Sequence, residues 1–82
     1  MSDNLITVEI NSPEKLIWEG TAVSLSSSNS SGPFDILSMH ANFITIIENQ
    51  TIKVNTGSKI EEFKFPNAII YATKNKVIIY TL

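Results

Sequence analysis

The chain has 82 residues, of which 43% are hydrophobic and 17% charged, a composition that predicts one small folded domain and excludes disorder. The net charge is −2 and all six basic residues are lysine, which excludes a basic nucleic-acid-binding surface and bidentate phosphate recognition by arginine. The absence of cysteine excludes disulfides and thiolate metal sites, and no apolar run approaches the roughly 20 residues of a membrane-spanning helix.

The N-terminal segment alternates apolar and polar residues with a period of two, which is typical of a strand with one buried face. Ile6, Val8 and Ile10 are its predicted inward positions. A turn is predicted around Pro13, because proline favours the first central position of a turn. Gly20 predicts either a β-bulge or a close backbone approach in the next strand.

Serine and asparagine dominate residues 26–31. Such residues hydrogen-bond locally and bury little surface, so a solvated loop is predicted, with a partner-contacting tip as the alternative. Before this segment, Val23 and Leu25 are predicted to point inward. Trp18 is predicted to pack in the core, with an interface anchor as the alternative because tryptophan is enriched at binding hot spots.

Residues 32–47 contain two short apolar runs on either side of a polar corner, and this corner carries the only histidine. The runs predict two buried strands at residues 34–37 and 43–47. Their apolar side chains are the candidates for the core at this point: Phe34, Ile36, Phe43, Ile44 and Ile46.

His40, with Asp35 and Ser38 nearby, is the grouping that comes nearest to a catalytic set. Such clusters arise easily by chance in so short a segment, and no catalytic residue is predicted. A lone histidine with one carboxylate is too few ligands for a metal, and three separate glycines form no phosphate-binding loop. We therefore predict no metal and no cofactor. His40 is predicted to bond to the backbone, with an interface role as the alternative.

The second half of the chain continues the alternation. Ile52 and Val54 are predicted inward, and Phe63 and Phe65 share a face. Gly57 with the following serine predicts a two-residue hairpin connection, because glycine supplies a positive φ. Residues 48–50 are predicted to form a turn, residues 66–67 to break a strand, and residues 68–72 and 77–80 to form the last strands.

Apolar residues nowhere recur at helical spacing. Strands and turns spaced about 8–12 residues apart predict an all-β fold, a sandwich or barrel. We predict a single domain over residues 1–82, a two-sheet antiparallel β-sandwich of about 8–10 short strands.

The pattern Gly-x-Phe-x-Ile-Leu-x-x-His-Ala-x-Phe-Ile-Thr begins at Gly32. It resembles the signature of the N-terminal β-sandwich of the F-type ATP synthase epsilon subunit. Trp18-Glu19-Gly20 stands where the family has Phe-x-Gly, and Asn75-Lys76-Val77 where it has Asn-x-Val. The match is collinear over nearly all of the chain. Ser38 and Met39 replace Pro-Gly, and Pro33 stands where the family often has glutamate.

The resemblance implies a non-catalytic rotor subunit of the central stalk in the F1 sector, which links the gamma subunit to the c-ring and couples proton transport to ATP synthesis. Its implied partners are those two proteins, with no nucleic acid, small-molecule substrate or direct membrane insertion. The implied location is the cytoplasmic face of the inner membrane, or the organellar equivalent, within a peripheral complex. The resemblance implies that the candidates for contacts with the c-ring and neighbouring contacts with gamma are Ser31, Gly32, Pro33, Ser38, Met39 and His40.

Family members usually continue into a helical hairpin that inhibits ATP hydrolysis. The sequence ends at Leu82, where the sandwich of the family ends, and we expect this hairpin to be absent. The alternative function is a free-standing protein-binding module of the same fold, without a rotor role.

Overall fold

The computed structural model describes residues 5–82, and its seven strands join into one continuous sheet. The strands are β1 (Ile6–Asn11), β2 (Leu16–Ala22), β3 (Ser24–Asn29), β4 (Gly32–Ile36), β5 (Phe43–Asn55), β6 (Ile60–Ala72) and β7 (Lys76–Thr81). Their order across the sheet is β2-β1-β7-β6-β5-β3-β4. Neighbouring strands are antiparallel except β1 and β7, which run parallel and place the first and last described strands side by side.

The predicted all-β class is confirmed, and the strand count is the main difference. The structure has seven strands, because β5 and β6 are each 13 residues long where the sequence predicted two shorter strands. Across the described part of the chain, no helix is long and apolar enough to cross a membrane.

The long strands β5 and β6 bend together near their middle. They pair from Phe43 opposite Ala72 to Asn55 opposite Ile60, and the ladder skips the position where Asn49 lies opposite Pro66. Asn49 has a φ of 54°, and proline has no N–H to donate, so both local features favour a bend. The predicted turn and strand break at these residues are therefore bends inside two continuous strands.

At the bend, the inward-facing positions of both strands shift by one residue. In β5 the inward positions are odd-numbered before the bend, as at Ile47, and even-numbered after it, as at Ile52 and Val54. β6 makes the matching change at its own bend. One half of the bent ribbon pairs with β7 and the other half with β3. Buried side chains from both halves belong to a single cluster, so the sheet folds over itself into two layers around one core. The predicted β-sandwich is confirmed, but its layers belong to one continuous sheet with a parallel β1–β7 pair, where the sequence predicted two antiparallel sheets.

The core is apolar throughout. Its fully buried side chains are Ile6, Val8, Ile10, Ala22, Leu25, Ile36, Ile47, Ile52, Val54, Ala68, Ile70, Ala72, Val77 and Ile79. The inward positions predicted for β1 are confirmed. Leu25 is buried as predicted, but Val23 is exposed and the preceding alanine takes the inward position.

Two residues expected in the core lie outside it. Ile36 is buried, and Phe34 and Phe43 pack against the core, but Ile44 and Ile46 are 66% and 60% exposed. Four of the five residues from 43 to 47 are apolar, so alternation alone does not show which face is buried. Pairing with β6 places the other face inward.

The packing of the aromatic side chains beside the core explains why a residue without a side chain is found at Gly20. A Cβ atom on Gly20 would lie 2.9 Å from Cη2 of Trp18, so the indole ring covers the glycine backbone. The predicted close approach is confirmed. Trp18 is half-buried, with its ring centroid 5.9 Å from that of Phe63, and Phe63 stacks on Phe65 at 6.4 Å. Trp18 thus packs at the margin of the core.

The serine-rich segment forms strand β3, so the loop prediction for residues 26–31 was wrong. Only Ser30 and Ser31 form the connecting turn. β3 pairs with β4 on one side and with β5 on the other, which satisfies its backbone groups. The buried Ser27 hydroxyl donates to the Thr51 carbonyl at 3.0 Å, and a polar residue is thereby accommodated at an inward position.

Candidate protein-contact surfaces

The six predicted contact residues lie at the two ends of β4. Ser31, Gly32 and Pro33 belong to the hairpin between β3 and β4, whereas Ser38, Met39 and His40 lie in the connection between β4 and β5. Residues 34–37 lie between the groups, and because a strand rises about 3.3 Å per residue, the five steps from Pro33 to Ser38 separate them by up to about 17 Å. The structure therefore brings the six residues together as two groups of three.

The first group is the hairpin tip, residues 30–33. Gly32 has a φ of 118°, a conformation that side chains rarely adopt, although nothing would lie within 4 Å of a Cβ atom there. The Asn29 side chain holds the tip: its Oδ1 accepts the Ser31 N–H at 2.8 Å and its Nδ2 donates to Thr45 Oγ1 at 2.9 Å. Pro33 has no N–H and lies on an edge strand, which disfavours strand addition at this edge.

The second group lies in the corner, residues 37–42. Met39 adopts a positive φ of 64°, and its N–H donates to Asn75 Oδ1 at 3.0 Å. Leu37 and Met39 are 52% and 61% exposed, so the corner presents two apolar side chains to solvent. His40 Nδ1 lies 2.6 Å from the carbonyl oxygen of the next residue, and its ring lies 5.7 Å from that of Phe43. His40 therefore bonds to the backbone, as predicted.

A third surface was not identified from the sequence. The outer apolar surface consists of side chains on the solvent-facing side of β5, β6 and β7: Ile44, Ile46, Ile69, Tyr71, Ile78 and Tyr80. The strand register places Ile44 opposite Tyr71 and Tyr71 opposite Ile78. It also places Ile69 between Ile46 and Tyr80. The six side chains are therefore neighbours on one face.

Polar residues of β1 border the outer apolar surface. Glu9 lies opposite Ile78 and Asn11 opposite Tyr80 in the parallel ladder. Asn11 Nδ2 donates to Glu9 Oε2 at 2.9 Å, and Lys76 Nζ lies 3.9 Å from Glu9 Oε1. A contiguous exposed apolar surface with a polar border is typical of a protein-binding site.

Consecutive apolar residues were the sequence signal for this surface. Ile69-Ile70-Tyr71 and Ile78-Ile79-Tyr80 occur in strands whose alternate residues are buried. An antiparallel strand with one solvated face would carry polar residues at the outward positions. Isoleucine and tyrosine at these positions therefore make this face a candidate protein-contact surface.

Two surface cavities of about 290 and 320 Å³ lie side by side along β3 and β5 and share Gln50. Their linings are mainly hydroxyl, amide and charged side chains, and Ile46 of the outer apolar surface borders the first cavity. Within residues 5–82, no group of three or more histidine, aspartate or glutamate side chains could hold a metal ion.

Comparison with known proteins gives a family and several relatives. The family model for the ATP synthase, Delta/Epsilon chain, beta-sandwich domain matches residues 5–82. The chain is 28% identical over 81 residues to an ATP synthase epsilon chain of Leptospira interrogans, covering 99% of this chain and 64% of that one. It is 29% identical over 76 residues to that of Leptospira borgpetersenii, covering 93% and 60%. The chain thus spans less than two thirds of the length of these relatives.

Two solved structures have a similar fold. One chain comes from the central stalk/c-ring structure of the Tetrahymena thermophila mitochondrial ATP synthase, with a TM-score of 0.76 and 10% identity over 94% of this chain and 63% of that one. Another comes from the OSCP/F1/c-ring structure of the Euglena gracilis mitochondrial ATP synthase, with a TM-score of 0.84 and 14% identity over 93% and 49%. At these identities the similarity concerns the fold.

Proposed function

The chain belongs to the ATP synthase delta/epsilon chain β-sandwich family, and on this basis we propose that it is an epsilon-type, non-catalytic rotor subunit of an F-type ATP synthase. In this role it links the gamma subunit to the c-ring and couples proton transport to ATP synthesis. It acts within a membrane-attached complex, on the cytoplasmic face of the inner membrane or its organellar equivalent, without entering the membrane itself.

The outer apolar surface is the observation that carries this proposal. Ile44 and Ile46 are more than half exposed, and Tyr71 and Tyr80 extend the same face across β6 and β7. Burying one such side chain completely contributes about 1.5–3 kcal/mol, so several together are enough to anchor a protein interface. We assign this face to the gamma subunit.

The two groups of predicted contact residues have separate roles in the proposal. The corner precedes the end of β5 that carries Ile44, and we assign Ser38, Met39 and His40 to neighbouring gamma contacts there, with the His40 ring lying against Phe43 on the opposite face of that strand. The hairpin tip lies at the other end of β4, and we therefore assign Ser31, Gly32 and Pro33 to the contact with the c-ring. A subunit with these two separate surfaces can bind the gamma subunit and the c-ring at the same time.

The test uses the 82-residue chain and the gamma subunit of the same organism. We expect a complex on size-exclusion chromatography at tens of micromolar, and we expect Ile46→Asp to abolish it. Ile60→Asp is the matched control, because Ile60 is 57% exposed and lies outside the outer apolar surface. Both variants should keep the wild-type circular dichroism spectrum, since neither side chain is in the core.

The absence of a complex with the wild-type chain would refute the rotor assignment. The free-standing binding module would then be the better description. Retained binding in Ile46→Asp would show that the gamma-binding face lies elsewhere, and loss of binding in both variants would show that the effect is not specific to the outer apolar surface.

A further inference from the structure

We propose that Asn75 is a positioning residue that holds the corner, residues 37–42, in the conformation that a protein partner contacts. The contact with a partner rests on the proposed function, whereas the positioning itself is a property of the isolated chain. The proposal depends on the backbone of Met39, the hydrogen bonds of Asn75 and the exposure of the corner.

The backbone of Met39 needs a stabilising contact. Its φ of 64° lies in the left-handed region, which is unfavourable for a residue with a Cβ atom, and asparagine or glycine is more usual there. Asn49 is the other non-glycine residue with a positive φ among residues 5–82. Methionine has no side-chain group that could stabilise this conformation through its own backbone, so the stabilisation comes from elsewhere.

Asn75 supplies that contact from a distant part of the chain. Its Oδ1 accepts the Met39 N–H at 3.0 Å, across 36 positions of sequence. The turn that carries Asn75 is closed by a bond from the Thr73 N–H to the Lys76 carbonyl at 2.8 Å. The Asn75 carbonyl accepts the Thr7 N–H at 2.9 Å, which joins this turn to β1. The side-chain oxygen therefore projects from a well-connected part of the sheet.

The consequence is an apolar corner that is organised before binding. Leu37 and Met39 are exposed on either side of Ser38, and the hydrogen bond restricts the backbone between them. A segment already held in its bound conformation loses less conformational entropy on association, which raises affinity without adding a contact. Asn75 therefore acts on the partner through the corner rather than by touching it.

The substitution Asn75→Ala isolates the side-chain bond. It removes Oδ1 and keeps the backbone carbonyl that joins the turn to β1, and Asn75 is exposed, so the fold should be preserved. We expect hydrogen exchange at the Met39 amide, followed by NMR, to accelerate about tenfold. We expect affinity for the gamma subunit to fall about five- to tenfold, the effect of losing one ordinary hydrogen bond.

Two further variants test the specificity of the effect. Asn75→Asp keeps an acceptor oxygen of the same reach and should restore both the exchange rate and the affinity. Asn29→Ala also removes side-chain hydrogen bonds, but it does so at the hairpin tip. Exchange at the Met39 amide should therefore be unchanged in Asn29→Ala.

Unchanged exchange at Met39 in Asn75→Ala would overturn the proposal. Faster exchange with unaltered affinity for gamma would overturn the claim that positioning serves binding. If the wild-type chain binds no gamma subunit, the proposed function fails, and the exchange rates of the three variants still decide whether Asn75 holds the corner.

Discussion

The sharpest test of the core is the pair of substitutions Ile36→Ala and Ile46→Ala. Both remove three carbon groups, but Ile36 is 0% exposed and Ile46 is 60% exposed. Burial of three such groups contributes about 2.4 kcal/mol, and the cavity left behind raises the expected loss at Ile36 to about 2–5 kcal/mol. At Ile46 the same substitution removes only the contribution of the buried part of the side chain, and the expected loss of stability is about 1 kcal/mol.

Urea unfolding measures this difference, with the fluorescence of Trp18 as one probe and far-UV circular dichroism as the other. A domain of this size has a total stability of about 4–12 kcal/mol, so Ile36→Ala approaches unfolding at the lower end of that range. The melting temperature should fall by at least about 8 °C. Equal losses for the two variants would refute the assignment of Ile36 to the core and of Ile46 to the surface.

Two glycine substitutions test local features of the fold. Gly20→Ala places a methyl group against the Trp18 ring, so we expect a loss of about 1–3 kcal/mol and a shifted fluorescence maximum; an unchanged emission spectrum would show that the ring does not cover this backbone. Gly32→Ala meets no atom within 4 Å but has an unfavourable φ, so its expected loss of about 1–3 kcal/mol is due to backbone strain alone. A wild-type urea midpoint for Gly32→Ala would contradict that account.

Several local features were predictable from the amino-acid sequence alone. Alternation identified the inward positions of β1, because Ile6, Val8 and Ile10 are separated by polar residues and only one face can be buried. Gly57 identified its hairpin connection, since its φ of 96° is a conformation that glycine adopts readily. The corner motif that begins at Gly32 was enough to predict the family and, with it, the β-sandwich.

The candidate contact surfaces were only partly predictable from the sequence. The resemblance placed six candidates in one stretch of sequence, and β4 then divided them into two groups at opposite ends of a strand. The outer apolar surface uses residues from three strands that meet only through pairing. The bond from Met39 to Asn75 joins segments 36 residues apart, so no local pattern could predict it.

Long-range strand pairing selected the conformation of those segments whose local sequence is consistent with two conformations. The residues around Asn49 and Pro66 favour a turn or a bend equally well, and continuous pairing of β5 with β6 made them bends. Residues 43–47 are apolar on both faces, and the partner strand selected which face is buried. Serine-rich β3 became a strand because β4 and β5 supply its hydrogen bonds. Backbone pairing and burial are long-range interactions, and they outweigh local propensity wherever that propensity leaves two conformations close in free energy.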